Sequence, residues 1–509
     1  MIPRRSPFLP SMKKLWFWCI GLMTASASLA PAQRITAMKT FGLNYPVSTM
    51  GYPAGIVANR DDRFTVIAYW NQNAERKFSN HYIETYTDKF EEAWARPVTT
   101  DGDPRLASIR QLIRMDDAVG VLGTQYSPGI QRMSTKMQLW DLDGREKGAL
   151  QTISTYSKKA RKGYDEITAY SPDRRYLFWM GHNPGTSYKQ RDFYCSVTDG
   201  AGARVWGKRL LLEPTLGKYR VQQATIDNRG NAYFYMVYET STNTVKDTLH
   251  PPKIVRYVHR ENQFHTYSLD IPGVSVPEGM IKITDTGDLA FVGMLSDGGD
   301  RGFLNGANKF PVPLKWNKIV YLRFDIQREL RKSQEYILDL PDSWITRYQT
   351  RGADFTQAEL LEQNGHLYWV MEEFYIFNHE GRPQYRYYDI ATVAIDMKSG
   401  AVQWANFLEK KQRDYGRGEL LGYVAGFSRD RLNLVYLTER GAPGKIVCSS
   451  FALADGTVTT KDLAKNDRED NLFFPRRSTM AGKNKMLLLG AGNVDRNEFK
   501  VIEISFDEM

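Results

Sequence analysis

Cysteine and histidine are scarce in this chain, and neither residue occurs in a metal-binding pattern. The 509 residues include 3 cysteines and 7 histidines. No Cys-x-x-Cys pair is present, and His259 and His265 are spaced around a predicted turn rather than along one helix face. A small fold held together by disulfides is therefore excluded, and the sequence predicts no bound metal and no cofactor.

The chain also lacks the short motifs of several common catalytic chemistries. There is no His-Glu-x-x-His, no Gly-x-Ser-x-Gly and no Gly-x-x-x-x-Gly-Lys-Ser/Thr. Glu372 and Glu373 are neighbouring carboxylates, but adjacent strand residues point to opposite faces, so we do not expect them to converge. Asp297 and Asp300 lack the full calcium-loop pattern and indicate a loop tip. These absences favour a protein that is not an enzyme.

Charge is abundant but spread along the chain. The net charge is +10, charged residues make up 25%, and no run of five or more like charges occurs. Nucleic-acid binding requires a clustered basic surface, so no nucleic-acid partner is predicted. Hydrophobic residues at 42% and aromatic residues at 13% are enough to bury a large core, which excludes a disordered chain.

Residues 1–32 have the three successive regions of a secretory signal peptide. The basic pair Lys13-Lys14 precedes an apolar run at 15–23, and small residues follow it. The run is well below the roughly 20 residues that span a bilayer. We expect cleavage before Pro31 or Gln33, with an uncleaved membrane anchor as the alternative.

The chain that remains is predicted to be one exported domain, residues 33–509, with no transmembrane segment. Its expected location is the periplasm or the cell surface of a Gram-negative bacterium. The two remaining cysteines, Cys195 and Cys448, lie in alternating strand-like stretches. We interpret them as buried free thiols, with a disulfide between them as the alternative.

A polar turn followed by a strongly apolar run recurs eight times. The runs are residues 64–70, 118–122, 176–180, 232–236, 289–294, 367–371, 432–437 and 486–490. Short apolar runs between Asp, Asn and Gly turns predict strands that are buried on both faces. A second, alternating hairpin follows most of them and often ends in tryptophan. Each unit therefore predicts four antiparallel strands.

Eight such units predict an all-β fold, a β-propeller with eight four-stranded blades. A seven-bladed ring with one degenerate unit and a pair of stacked β-sandwiches are the alternatives. Residues 34–41 are expected to close the ring beside 499–506. The only helical candidates are 327–336 and 406–414.

Two segments resemble known propeller repeats. Residues 169–179 resemble the Ser-Pro-Asp-Gly repeat of TolB-type propellers, although Arg174 stands where that family prefers glycine. Residues 394–404 resemble the Ala-x-Asp-x-x-x-Gly-x-x-x-Trp docking motif of quinoprotein-like eight-bladed propellers. These resemblances imply an exported bacterial propeller without a specific family of known function. Quinoprotein dehydrogenases carry a vicinal disulfide, which Cys195 and Cys448 cannot form, so no quinone cofactor is expected.

The units are longer than a minimal blade because of insertions between their second and third strands. The two largest, 295–316 and 374–389, occur in consecutive units, so we expect them to be neighbours on one face of the ring. Aromatic residues and arginines are enriched at interfaces. The predicted binding residues are Arg301, Phe303, Phe310, Tyr375, Arg382, Tyr385, Arg386 and Tyr387.

This pattern favours an exported, non-catalytic propeller that binds a protein partner or a cell-envelope polymer through its loop-rich face. One alternative is a propeller hydrolase or lyase that acts on a glycan or peptide with carboxylates at the mouth of the central channel. A sensor for a small ligand is another. The insertions are also consistent with long twisted hairpins that cover their own blades.

Overall fold

The architecture is taken from a computed structural model of the protein. It describes residues 33–42, 55–59, 63–71, 79–98, 108–127, 132–157, 166–182, 192–211, 219–238, 251–270, 274–297, 316–327, 329–340, 357–379, 382–415, 421–438, 445–465, 472–482, 484–491 and 498–506. The predicted signal peptide, residues 1–32, lies outside these ranges.

Eight antiparallel sheets, each built around four strands, follow one another along the chain. The first strands of blades 1 to 8 are β2 (Ile56–Ala58), β6 (Ser108–Arg114), β10 (Glu166–Tyr170), β14 (Tyr219–Ile226), β18 (Val274–Ile283), β22 (Gln357–Gln363), β27 (Tyr423–Ser428) and the pair β31 (Leu472–Phe473) and β32 (Thr479–Met480). The second strands are β3 (Phe64–Asn71), β7 (Ala118–Ser127), β11 (Tyr176–His182), β15 (Ala232–Tyr238), β19 (Leu289–Asp297), β23 (His366–His379), β28 (Arg431–Leu437) and β33 (Lys485–Ala491).

The outer half of each blade is a second hairpin. The third strands are β4 (Ser79–Tyr86), β8 (Arg132–Asp141), β12 (Asp192–Asp199), β16 (Lys253–Val258), β20 (Trp316–Asp325), β24 (Arg382–Asp396), β29 (Lys445–Ala452) and β34 (Glu498–Phe506). The fourth strands are β5 (Glu92–Pro97), β9 (Gln151–Ser157), β13 (Arg204–Leu211), β17 (Gln263–Ser268), β21 (Arg331–Asp339), β25 (Val402–Leu408), β30 (Val458–Lys465) and β1 (Gln33–Gly42). An extra strand, β26 (Gln412–Tyr415), pairs with β24.

The ring closes through its two ends. Strand β1 pairs antiparallel with β34 along its whole length, so the N-terminal strand completes the last blade. First strands of successive blades contact one another, as β10 does with β14 and β14 with β18. The protein is an eight-bladed β-propeller. All eight predicted apolar runs are second strands, and the predicted closure by residues 34–41 is confirmed.

The core lies between successive blades. One cluster joins Phe178 and Trp206 of blade 3 to Phe234 and Tyr257 of blade 4. Second strands contribute to such contacts from both faces, which explains their continuous apolar sequences. Blade-to-blade burial of this kind makes each blade depend on its neighbours for stability.

Tryptophans of fourth strands link one blade to the next. Nε1 of Trp94 in β5 donates a hydrogen bond to the carbonyl oxygen of Leu142 in blade 2, over 2.9 Å. Nε1 of Trp206 donates in the same way to Gly230 of blade 4, over 2.8 Å. Trp404, the last residue of the docking motif at 394–404, donates likewise to the carbonyl oxygen of Leu453 in blade 7, so this motif also forms a contact between blades.

Both helical expectations are wrong. Residues 331–336 of the first candidate belong to β21, and the second candidate contributes to β25 and β26. Alternation and edge pairing outweigh the weak helical pattern in these segments. Within the described ranges, the single helical element is a 3-10 turn, Pro475–Arg477. No helix in the described part of the chain is long and apolar enough to cross a membrane.

Both cysteines predicted to be thiols lie inside blades. Cys195 in β12 and Cys448 in β29 are free and fully buried. Burial raises the pKa of each thiol because a thiolate would lose hydration. They occupy blades 3 and 7, which lie across the ring from each other, and each acts as a small core side chain.

Candidate functional site at the channel mouth

The first strands surround the central channel, and all of them begin at the same face of the ring. Second strands run back to that face, so the connections from second to third strands also emerge there. We call the end of the channel at this face the channel mouth. The chain alternates direction at each turn, so the connections between third and fourth strands lie on the opposite face.

A polar cavity lies between the first strands of blades 2, 3 and 4. Its volume is about 550 Å³, and it is lined by Arg110, Gln111, Leu122, Glu166, Ile167, Thr168, Arg220, Val221 and Gln222. Arg110 and Arg220 are exposed and stand near the starts of β6 and β14. Two exposed arginines therefore line a recess of ligand size.

Bulges at the beginnings of the first strands shape this recess. The pairing of β6 with β7 shifts register across Arg110, and the pairing of β14 with β15 shifts across Gln222. A bulged residue turns its side chain away from the regular alternation of the strand. Hydroxyl Oγ1 of Thr168 donates to Oε1 of Gln111 over 2.8 Å, which ties blade 3 to blade 2 in the cavity wall.

Glu166 provides a carboxylate beside the two arginines. It is half-buried, and Oγ1 of Thr135 donates a hydrogen bond to its Oε1 over 3.2 Å. Burial raises the pKa of Glu166, while the positive charge of Arg110 and the Thr135 hydrogen bond oppose the rise.

A buried ion pair lies across the ring, in blade 6. Nζ of Lys410 contacts Oε1 of Glu372, and the two side chains are only 1% and 2% exposed. Burial alone raises the pKa of Glu372 and lowers that of Lys410, and their mutual contact opposes both shifts. Oε1 of Gln412 also accepts a hydrogen bond from Lys410, over 2.6 Å.

Gln412 carries this network into blade 7. Its Oε1 accepts a second hydrogen bond from the backbone N–H of Gly422 over 3.0 Å, and its Nε2 donates to the carbonyl oxygen of Leu437. Gly422 has a φ of 101°. A Cβ atom at this position would lie 3.5 Å from Oε2 of Glu372 and 3.7 Å from Nε of Arg476. Glycine therefore allows the backbone to pass between a buried carboxylate and an arginine.

Arg476 comes from an interruption of the first strand of blade 8. Strands β31 and β32 both pair with β33, and the 3-10 turn separates them. Arg476 lies in this turn and is exposed. Its Nη2 donates to Oη of Tyr387 over 2.7 Å, and its guanidinium carbon is 5.3 Å from the centre of that ring. Tyr387 thus fixes the direction of the arginine.

Glu359 is an exposed carboxylate of the first strand of blade 6. It lies near the start of β22 with its side chain open to solvent, although protein surrounds it densely on its other sides. This enclosure raises the pKa of Glu359 to about 7, the negative charge of Glu372 adds to the rise, and Arg476 opposes it. A group with this pKa changes charge near neutral pH.

The predicted binding residues fall into three groups. Arg301, Phe303 and Phe310 lie outside the described residues, and so does the expected proximity of the two insertions. Tyr375 and Arg382 are strand positions whose side chains are not described. Tyr385, Arg386 and Tyr387 belong to β24, so segment 374–389 forms a long hairpin with β26 paired to its edge.

These last three residues differ in environment. Tyr385 and Arg386 are partly exposed, and Nε of Arg386 donates to Oε1 of Gln384 over 2.7 Å. Tyr387 is 2% exposed and holds Arg476. Tyr387 is therefore a buried strand residue that positions Arg476, and it does not lie at a loop tip.

Sequence reasoning missed Glu359, Lys410 and Arg476. The register of β22 against β23 places Gln357 opposite Glu372, so a strand alignment would have brought Glu359 close to that carboxylate. Lys410 lies within residues 406–414, which the sequence predicts to be helical, and a helix there does not place Lys410 beside Glu372. Glu372 and Glu373 are both buried, and a bulge separates Glu372 from Phe374.

Within the described ranges, no three His, Cys, Asp or Glu side chains form a group suited to a metal ion. His259 stacks on Trp206, with ring centres 6.3 Å apart, and its Nδ1 lies 3.3 Å from Oδ1 of Asn231. This histidine packs between blades.

Comparison with known proteins gives fold likeness alone. No protein-family model matches the chain, and no curated protein matches it at a significant level. Among solved structures, Sqt1 from Chaetomium thermophilum aligns at 11% identity and a TM-score of 0.42, covering 92% of this chain and 100% of that one. The β-propeller domain of the Trilobed protease from Pyrococcus furiosus aligns at 8% identity and a TM-score of 0.38, covering 82% and 96%. A polysaccharide lyase of family PL25, an ulvan lyase, aligns at 8% identity and a TM-score of 0.34, covering 86% and 96%.

Proposed function

We propose that this protein is an exported, non-catalytic β-propeller that binds an anionic cell-envelope polymer at its channel mouth. The observation that carries the proposal is the cavity of about 550 Å³ with Arg110 and Arg220 exposed in its wall. Guanidinium groups donate paired hydrogen bonds to carboxylate, phosphate and sulfate groups. A recess also weakens screening by salt compared with an open surface.

The recess favours a polymer over a globular partner. A cavity of this volume accommodates a few residues of an extended chain, whereas a folded protein presents a broad surface to the rim. Gln111, Thr168 and Gln222 add uncharged polar groups to the same wall. Such groups match the hydroxyls of a glycan as well as the arginines match its acidic groups.

Binding is favoured over hydrolysis because, within the part of the chain that the structure describes, Glu359 and Glu372 do not form an accessible pair of carboxylates. Glycoside hydrolysis uses two carboxyl groups that flank the substrate, about 5–10 Å apart. Glu372 is buried and paired with Lys410, so it does not reach a substrate in the channel. Among the described residues of the first strands of blades 6 to 8, Glu359 is the exposed acid.

Export is part of the proposal and rests on the succession of basic, apolar and small residues within residues 1–32. A basic pair, a short apolar run and small residues precede the first strand of the ring. The mass of the protein recovered from a Gram-negative host tests this directly. We expect a mature chain beginning at Pro31 or Gln33, and a mature chain that retains residues 15–23 would contradict export by cleavage.

Binding to polygalacturonate, a polymer of carboxylated sugars, tests the site. The double variant Arg110→Ala/Arg220→Ala should lose at least about tenfold in affinity, because each guanidinium removed takes a charge-assisted hydrogen bond with it. The matched control is Lys89→Ala/Arg331→Ala, which removes the same charge from exposed residues on the opposite face. An equal loss in both double variants would indicate nonspecific attraction and overturn the proposed site.

A further inference from the structure

The charged and titratable groups of the channel mouth form two sets on opposite sides of the ring. The cavity belongs to blades 2, 3 and 4, whereas Glu359, Glu372, Tyr423 and Arg476 belong to blades 6, 7 and 8. In an eight-bladed ring, blade 3 stands opposite blade 7. A ligand that occupies the cavity and extends across the mouth therefore reaches the second set.

Building on the proposed function, we infer that Glu359 and Arg476 form a second subsite, and that one polymer chain places carboxylate groups in both subsites. The ligand class is therefore a polymer with repeated carboxylates, such as a polyuronate. Both side chains are exposed, and they come from different blades with the buried carboxylate of Glu372 near each.

Contacts with Tyr387 preorganise the guanidinium group of Arg476 for binding an anion. Its bond to Tyr387 uses one of the five guanidinium N–H groups, and the stacking on the same ring limits its rotation. Tyr387 is fixed in turn because its ring packs against Phe374, with centres 4.7 Å apart. A guanidinium oriented in advance loses less entropy when it binds.

The protonation state of Glu359 controls whether Arg476 can bind an anionic ligand. As a carboxylate it attracts Arg476 and repels an incoming anion. As a carboxylic acid it donates an O–H hydrogen bond to a ligand carboxylate and leaves the guanidinium free to bind. The charged groups that act on Glu359 are Glu372 from β23 and Arg476 from the 3-10 turn, with Lys410 behind Glu372. Tyr423 from β27 lies in the same region and stays neutral, because burial raises the pKa of its hydroxyl.

This arrangement favours carboxylate over sulfate. A carboxylate is a much stronger base than a sulfate ester and accepts a hydrogen bond from a carboxylic acid more strongly. The pKa of Glu359, about 7, means that its acid form is abundant around neutral pH. Affinity for a polyuronate should therefore rise as the pH falls through this value.

The test is equilibrium binding of polygalacturonate and of dextran sulfate, measured between about pH 6 and pH 8, where the ligand carboxylates stay ionised. For the wild-type protein, we expect polygalacturonate affinity to fall about tenfold over this range as Glu359 ionises. Glu359→Gln, which is permanently neutral, should keep high affinity at both ends of the range. Glu91→Gln is the matched control, because Glu91 is an exposed carboxylate in the turn between β4 and β5, on the face opposite the channel mouth.

Arg476→Ala separates this inference from the proposed function. Weaker polygalacturonate binding in Arg476→Ala, together with a flat pH profile in Glu359→Gln, supports the second subsite. If Arg110→Ala/Arg220→Ala weakens binding and neither Arg476→Ala nor Glu359→Gln changes it, the proposed function stands and the second subsite is refuted. Equal affinity and equal pH dependence for dextran sulfate would overturn the assignment to carboxylates.

Discussion

Nε1 of Trp404 in blade 6 donates a hydrogen bond to the carbonyl oxygen of Leu453 in blade 7, over 2.9 Å. The indole also packs on the next turn, where a Cβ atom added to Gly456 would lie 2.6 Å from the ring. Trp94 and Gly144 repeat this arrangement between blades 1 and 2. Fourth-strand tryptophans and glycine turns therefore act together as links around the ring.

Substitution of Gly456 should weaken this link. Gly456→Ala meets the Trp404 ring and also strains a residue with a φ of 72°, so we expect a loss of about 2–4 kcal/mol in the free energy of unfolding. Gly287→Ala is the matched control, because its φ is 85° but no atom lies within 4 Å of the added Cβ. Urea denaturation measures both, and equal losses would show that the ring contact contributes nothing.

Removal of strand β1 should destabilise the whole ring. Deleting residues 34–41 removes the pairing with β34 and exposes the edge of blade 8. We expect the Tm to fall by about 5 °C or more in a cooperative transition. A chain that lacks only residues 1–32 is the control, and an unchanged Tm in the longer deletion would contradict closure by this strand.

Removing only one member of the buried ion pair of Lys410 and Glu372 should lower the free energy of unfolding strongly. Lys410→Met leaves a carboxylate buried without its cation, so we expect a loss of about 3–5 kcal/mol in the free energy of unfolding. Glu372→Leu/Lys410→Met should recover most of that loss because neither charge of the pair remains buried. A double variant that is less stable than the single one would argue against this account.

Tyr387 should affect binding more than folding when only its hydroxyl is removed. Tyr387→Phe keeps the packing with Phe374 but loses the bond to Arg476, so we expect about a tenfold loss of polygalacturonate affinity and at most about 1.5 kcal/mol of stability. Tyr385→Ala/Arg386→Ala is the comparison on the same hairpin. Undiminished affinity in Tyr387→Phe would show that the tyrosine does not position the arginine.

Glu359 should make the stability of the protein depend on pH. Its pKa rises from 4.5 to about 7 on folding, so the folded state holds the proton more tightly. The stability contribution is fully present below pH 4.5 and is lost as the pH rises through 7. Glu359→Gln should therefore be more stable than the wild type near pH 8, by less than the full pKa shift implies because water in the channel screens the charge. Thermal unfolding at both pH values measures this difference, which should vanish near pH 4.5.

The repeat made the fold readable from sequence, whereas the site required knowledge of which strands meet. Apolar runs such as 289–294 are local signals and identified the second strands correctly. Glu359 and Arg476 are 117 positions apart in the sequence and come together only through the ring. The sequence of segment 374–389 is consistent with a loop-rich surface or with a long hairpin, and the structure has the hairpin, because alternation of polar and aromatic residues extends its two strands beyond the blade.

The structure of the protein with a bound oligogalacturonate tests the central claim most directly. We expect the oligomer to lie across the channel mouth, with one carboxylate on Arg110 or Arg220 and another on Arg476. An oligomer bound to the opposite face of the ring, or along the outer strands and away from these arginines, would contradict the account.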